Sequence, residues 1–132
     1  MNRLLCWLLV ILLCISFNQT KVNATINELP DCIVVTHCVR ESFKVNDLEK
    51  AFKKATNIVM DTPLTKIVEQ TSKYIHAEAK TKWIRYTDDL LIKAIPEKGI
   101  IQVRSESRVG IGDNGVNQKR VDDFAHRLRT DP

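Results

Sequence analysis

Residues 73–107 read KYIHAEAKTKWIRYTDDLLIKAIPEKGIIQVRSES. Apolar and polar side chains alternate through most of this stretch, which is the periodicity of a strand with one buried face. Ile75, Ala77 and Ala79 fall on one side, and Tyr74, His76 and Glu78 on the other. Ile84, Tyr86, Leu90 and Ile92 oppose Arg85, Thr87 and Asp89; further on, Ile101 and Val103 oppose Gln102, Arg104, Glu106 and Arg108. The alternation predicts strands over Lys73–Thr81, Trp83–Ile95 and Gly99–Ser107, with another at Lys66–Thr71. Pro96-Glu-Lys-Gly99 is a hairpin-type turn and the other connections are short, so neighbours should pair antiparallel. Asp88 falls on the apolar side, which suggests a bulge or a strand break.

Helices flank these strands. Asn46-Asp-Leu-Glu49 resembles a capping box with Asn46 as N-cap. Leu48, Ala51, Phe52 and Ala55 follow at helical spacing, so a helix is expected from Asp47 to Thr56 before Pro63 breaks the chain. A second is expected from Gln118 to Arg129, capped by Asn117, with Val121, Phe124, Ala125 and Leu128 on one face. A sheet with one apolar face must bury it. The expected fold is therefore α+β: an antiparallel sheet of about four strands covered on one face by two helices.

The N-terminus reads as an export signal. Arg3 precedes an apolar run of fourteen residues, Leu4–Phe17, too short to span a bilayer and of the right length for a signal core. Val22-Asn-Ala24 places cleavage after Ala24, leaving residues 25–132 as one secreted domain with no membrane span. Cleavage after Ser16 is the alternative, and it alone would retain the glycosylation sequons at Asn18 and Asn23. Cys6 and Cys14 leave with the signal, so Cys32 and Cys38 are expected to form a disulfide in an oxidising compartment. The competing readings are a metal site of Cys32, His37 and Cys38, or two buried thiols. The whole chain carries a formal charge of +4, and loss of Arg3 and Lys21 halves it. That excess implies no nucleic-acid partner, which would require a concentrated basic face.

The remaining chemistry sits on one sheet face and in residues 104–120. Gly110, Gly112 and Gly115 form a literal G-x-G-x-x-G between a strand and a helix. The chain ends too soon for the βαβ unit of a dinucleotide site, so no cofactor is expected. Backbone amides at a helix start can instead hold an anion, with Arg104, Arg108 and Arg120 as donors beside Asp113 and Asn117. The alternative is a tight turn in which Asp113 pairs with Arg108 or Arg120. His76 and Asp89 complete the candidate ligand-binding set on the polar sheet face, which otherwise reads as a solvated surface. His76-x-Glu78 lacks the cysteine pair of a zinc deaminase. Asp88 and Asp89 are consecutive on a strand and so do not form a carboxylate dyad.

The string Val103-Arg-Ser-x-Ser-Arg-Val-Gly-x-x-Asp-x-Gly-x-Asn-x-x-Arg-Val121 resembles the signature of the domain of unknown function 1499 family. Cys32-x5-Cys38-Val39 resembles that family's N-terminal cysteine motif, without its proline and asparagine residues. Tyr74-Ile-His-Ala-Glu78 and Asp88-Asp89 also fall where the family has similar residues. The resemblance covers most of the chain and implies no reaction. Three functions stay open: a binding module for a small anionic ligand, a hydrolase with His76 or Asp89 as base, and a structural or interaction protein.

Overall fold

A computed structural model describes residues 28–130. The expected signal segment 1–24, with Cys6, Cys14, Asn18 and Asn23, lies outside the described residues. Five strands and two helices follow in the order β1 (Cys38–Lys44), α1 (Leu48–Met60), β2 (Thr65–Gln70), β3 (Tyr74–Lys80), β4 (Thr87–Ile95), β5 (Ile100–Ser107) and α2 (Val116–Thr130). The sheet is antiparallel throughout, in the order β1-β5-β4-β3-β2. The fold is α+β, as the alternation implies, with one strand more than expected.

That extra strand is β1. Its sequence, CVRESFK, shows little alternation, because it is an edge strand with most of its side chains partly exposed. Val39 and Phe43 still turn toward the helices and pack against the core. The core lies between the sheet and the helices: Phe52, Ala55, Ile58 and Val59 of α1, with Val121, Phe124 and Leu128 of α2, cover Ile75, Ala77, Leu90, Ile92, Ile101 and Val103.

Helix α1 starts one residue later than the capping-box reading has it: Asp47, not Asn46, is the N-cap, and its carboxylate accepts the Lys50 amide. The helix also runs past Thr56 to Met60. Ile58 and Val59 continue the stripe begun by Phe52 and Ala55, and their burial favours the extra turn.

The expected strand Trp83–Ile95 begins only at Thr87. Lys80 pairs with Thr87, so residues 81–86 must reverse the chain. Arg85 takes a positive φ of 64° within that turn; Ile84 and Tyr86 stand exposed rather than on the core face, and Trp83 is exposed beside them in the chain. Asp88, by contrast, sits in an unbroken ladder between Ala79 and Ser107. No bulge occurs there; the carboxylate is buried on the helix side of the sheet.

The polar sheet face is partly covered by the chain's own N-terminal segment. The Leu29 amide donates to Gln102 Oε1, Arg40 Nη1 donates to the Leu29 carbonyl, and Glu28 pairs with Lys98. Residues 28–31 are thereby held against Arg40 of β1 and Gln102 of β5, and Leu29 is buried. The Cys32–Cys38 disulfide closes this segment onto the start of β1. No helix among the described residues is long and apolar enough to cross a membrane.

Candidate functional site

The residues singled out by sequence divide between the two faces of the sheet. Arg104 and Arg108 alternate onto the polar face, with His76 and Asp89. Arg120 enters from α2 on the opposite face. The three guanidiniums therefore do not gather around Asp113, and each already has a carboxylate of its own. Arg104 pairs with Glu106 at 2.7 Å, Arg108 with Asp89 and Glu78 at 2.7 Å, and Arg120 with Asp88 at 2.8 Å.

On the polar face, Asp89 is the centre of a charged cluster. His76 Nε2 lies 2.6 Å from Asp89 Oδ1. Arg108 grips the same carboxylate with Nε at 2.9 Å and Nη2 at 2.7 Å. The Arg108 hydrogen bond outweighs partial burial and, with help from His76, holds Asp89 below the ordinary carboxylate range. The same bonds raise Arg108. A carboxylate held ionised by a bidentate arginine is a weak base, and this lowers its capacity for general-base chemistry.

On the helix side the polar groups form a buried network. Arg120 Nη1 donates to Ser105 Oγ at 2.8 Å and to Asn117 Oδ1 at 2.7 Å. Ser105 Oγ donates to Asn117 Oδ1 at 2.6 Å. Asn117 Nδ2 faces the His37 carbonyl, Ser107 Oγ and Asp113 Oδ2 at 2.7–3.0 Å. Asn117 is fully buried inside the first turn of α2, so it is not the cap expected from sequence. Asp113 takes that part: its carboxylate accepts the Gly115 and Asn117 amides at 3.0 and 2.7 Å. Burial alone would raise the Asp113 pKa, but the Asn117 and Gly115 bonds together prevail and lower it. The glycine loop is thus wound around Asp113, and amides that could have met an external anion are partly taken by this internal one.

The network leaves one atom over. Asp88 Oδ1 is buried with no hydrogen-bond partner among the described residues. A buried, unpaired carboxylate oxygen is costly. Asp88 and Arg120 line a cleft of about 690 Å³ between the 81–86 turn and the glycine loop. Its walls are Trp83, Ile84, Tyr86, Val109 and Val116, and Lys80 and Lys82 are also at its border. Lys82 Nζ stands 5.4 Å from the Trp83 ring centre. Sequence reading missed Asp88, Trp83, Tyr86 and the two lysines as site residues. The out-of-phase charge of Asp88 was the available signal, since an acid on an apolar strand face needs a buried partner.

Cys32 and Cys38 are joined, which removes them as metal ligands, and His37 Nδ1 lies 2.8 Å from the Gly110 carbonyl. The disulfide loop is thereby tied to the glycine loop, a link strengthened by Thr36 Oγ1 donating to the Ile111 carbonyl.

No curated protein matches the chain. The family described as Protein of unknown function (DUF1499) matches residues 18–128. That span takes in both cysteines, all five strands and the network of Asp88, Asn117 and Arg120, and the chain belongs to this family.

Proposed function

We propose that the protein is an exported binding module, released by cleavage after Ala24 as a domain of residues 25–132, and that it holds a small ligand in the cleft beside Asp88. The disulfide supports an oxidising compartment. One observation carries the ligand reading: Asp88, whose buried Oδ1 has no hydrogen-bond partner among the described residues, borders a cleft with aromatic sides. A small-molecule site of this kind combines apolar walls with a few fixed polar groups.

The chemistry of the cleft narrows the ligand. Asp88 Oδ1 asks for a hydrogen-bond donor, a hydroxyl or an amine. Trp83, Tyr86 and Val109 suit a flat or apolar body. Lys80 and Lys82 suit an anionic group at the outer end. The anion expected from sequence is therefore proposed at the lysines rather than at Arg104, Arg108, Arg120, Asp113 and Asn117, which are engaged with one another or with neighbouring carboxylates.

The test compares 4-hydroxybenzoate and 4-aminobenzoate with benzoate by thermal shift and calorimetry. A ligand that binds the native state raises Tm. The donor-bearing compounds should bind about tenfold more tightly, the usual effect of satisfying a buried acceptor. Trp83→Ala should weaken the binding of all three, because each uses the aromatic wall. Absence of stabilisation by all three, or equal affinity with and without the donor, would count against this reading.

A further inference from the structure

The large apolar side chains exposed among the described residues are not scattered. Apart from Val68 in β2 and Met60 and Leu64 around the α1–β2 connection, all belong to the loops at one end of the sheet or to the start of α2. β1 and β4 begin there, β3 and β5 end there, and three loops meet: residues 32–37, 81–86 and 108–115. The first and third are bonded together through Thr36, His37 and Asp113. The second and third share the cleft. Their outermost apolar groups are Ile33 and Ile111, each 91% exposed, and Trp83, 85% exposed, with Val35, Ile84 and Tyr86 beside them. The opposite end, made of the 71–73 and 96–98 turns and the start of α1, displays Asn46, Asp47, Lys73, Glu97 and Lys98. Apolar exposure concentrated in this way marks a docking surface.

Charge identifies the occupant. The 81–86 turn and its flanks carry Lys80, Lys82 and Arg85, and no acidic residue lies between Glu78 and Asp88. Residues 32–37 and 108–112 hold no acid either; Asp31, just before the first of these loops, is paired with Arg40, and the Asp113 carboxylate is turned inward to its own amides. Two copies meeting through this patch about a twofold axis would oppose like cations. Apolar tips with an indole and a phenol, interleaved with lysine and arginine, match a bilayer interface whose headgroups are anionic.

We infer that this end of the molecule docks on an anionic membrane surface, with Ile33, Trp83, Ile84 and Ile111 entering the headgroup region and Lys80, Lys82 and Arg85 meeting lipid phosphates. The inference shares Trp83, Ile84, Lys80 and Lys82 with the ligand reading, but Ile33, Arg85 and Ile111 lie outside the cleft, so Ile33→Asp/Ile111→Asp tests it separately. It makes the protein peripheral to the membrane, held through loop tips and not through a spanning helix.

The test is flotation of the exported chain with phosphatidylcholine vesicles containing 30% phosphatidylserine, beside pure phosphatidylcholine vesicles and soluble phosphoserine. All variants carry the same processed N-terminus. The anionic vesicles should be bound at least tenfold more strongly than the neutral ones, less so in high salt, and phosphoserine should not compete. The double variant Ile33→Asp/Ile111→Asp should lose at least tenfold in vesicle binding while keeping the wild-type Tm, because both side chains are in solvent. Lys82→Glu/Arg85→Glu should lose the preference for anionic vesicles. Failure to float with anionic vesicles would overturn the proposal, as would undiminished binding by both variants. Dimerisation abolished by Ile33→Asp/Ile111→Asp, in a protein that ignores vesicles, would also overturn it and assign the patch to a second copy.

Discussion

Arg120 Nη2 lies 2.8 Å from Asp88 Oδ2, joining the start of α2 to the start of β4 across the covered face of the sheet. The two residues are 32 positions apart, and their side chains are 13% and 1% exposed. Removing one partner leaves the other charged group in a poorly solvated site. Arg120→Leu should therefore cost about 3–5 kcal/mol. Asp88→Leu/Arg120→Leu should recover a large part of that, because the stranded charge is gone. Urea denaturation of the two variants checks this; equal losses would show that the pair itself, rather than the stranded charge, sets the stability.

Arg108 offers the contrast. Its side chain is 41% exposed, so Arg108→Ala should lower Tm only slightly, although it makes three hydrogen bonds to carboxylates. Its effect should appear in acid. Asp89 and Asp113 both have lowered pKa values in the folded protein. Their stabilising contribution is complete above the unfolded carboxylate pKa and is lost as pH falls through the lower folded values. Stability should thus be flat between about pH 5 and 7 and decline below about pH 4. In Arg108→Ala that decline should be shallower, since the chief cause of the Asp89 depression is gone. Denaturation midpoints across this range report both effects.

The glycines of the 110–115 loop are not equivalent. Gly115 has a φ of +78°, a conformation that strains any L side chain, whereas Gly112 has no such angle and a Cβ there would meet only the Thr36 carbonyl at 3.9 Å. Gly115→Ala should cost roughly 1–2 kcal/mol, and Gly112→Ala should stay within about 0.5 kcal/mol of wild type. Thermal denaturation of the two single variants distinguishes them.

Loss of the disulfide should destabilise beyond its own short loop. Cys32→Ser/Cys38→Ser removes a constraint worth about 2 kcal/mol in the chain-entropy account. It also loosens the segment that carries the Thr36 and His37 contacts to the glycine loop. Protease susceptibility of residues 108–115 should therefore rise together with that of 28–37. A rise confined to residues 28–37 would show the loops to be independent.

The alternation of Ile75, Ala77 and Ala79, of Leu90 and Ile92, and of Ile101 and Val103 was enough to identify three strands and their buried face, because a period of two is a property of neighbouring residues. The helical stripes of Phe52 and Ala55 and of Val121 and Phe124 were legible for the same reason. Trp83, Ile84 and Tyr86 carry a similar local signal and mean something else: the pairing of Lys80 with Thr87 requires the chain to turn between them. β1 gave no usable signal, because an edge strand is held as much by its partner β5 as by its own apolar side chains. Family membership followed from residues 103–121, whose unusual spacing survives without any coordinates. The site did not. Whether Arg104, Arg108 and Arg120 share a ligand depends on which side of the sheet each reaches, and whether Asp88 is a defect or a buried ion pair depends on a helix that begins 28 residues later. Periodicity is written along the chain, whereas the pairing of buried charges is settled only when packing brings distant segments together and excludes the water that would otherwise solvate them.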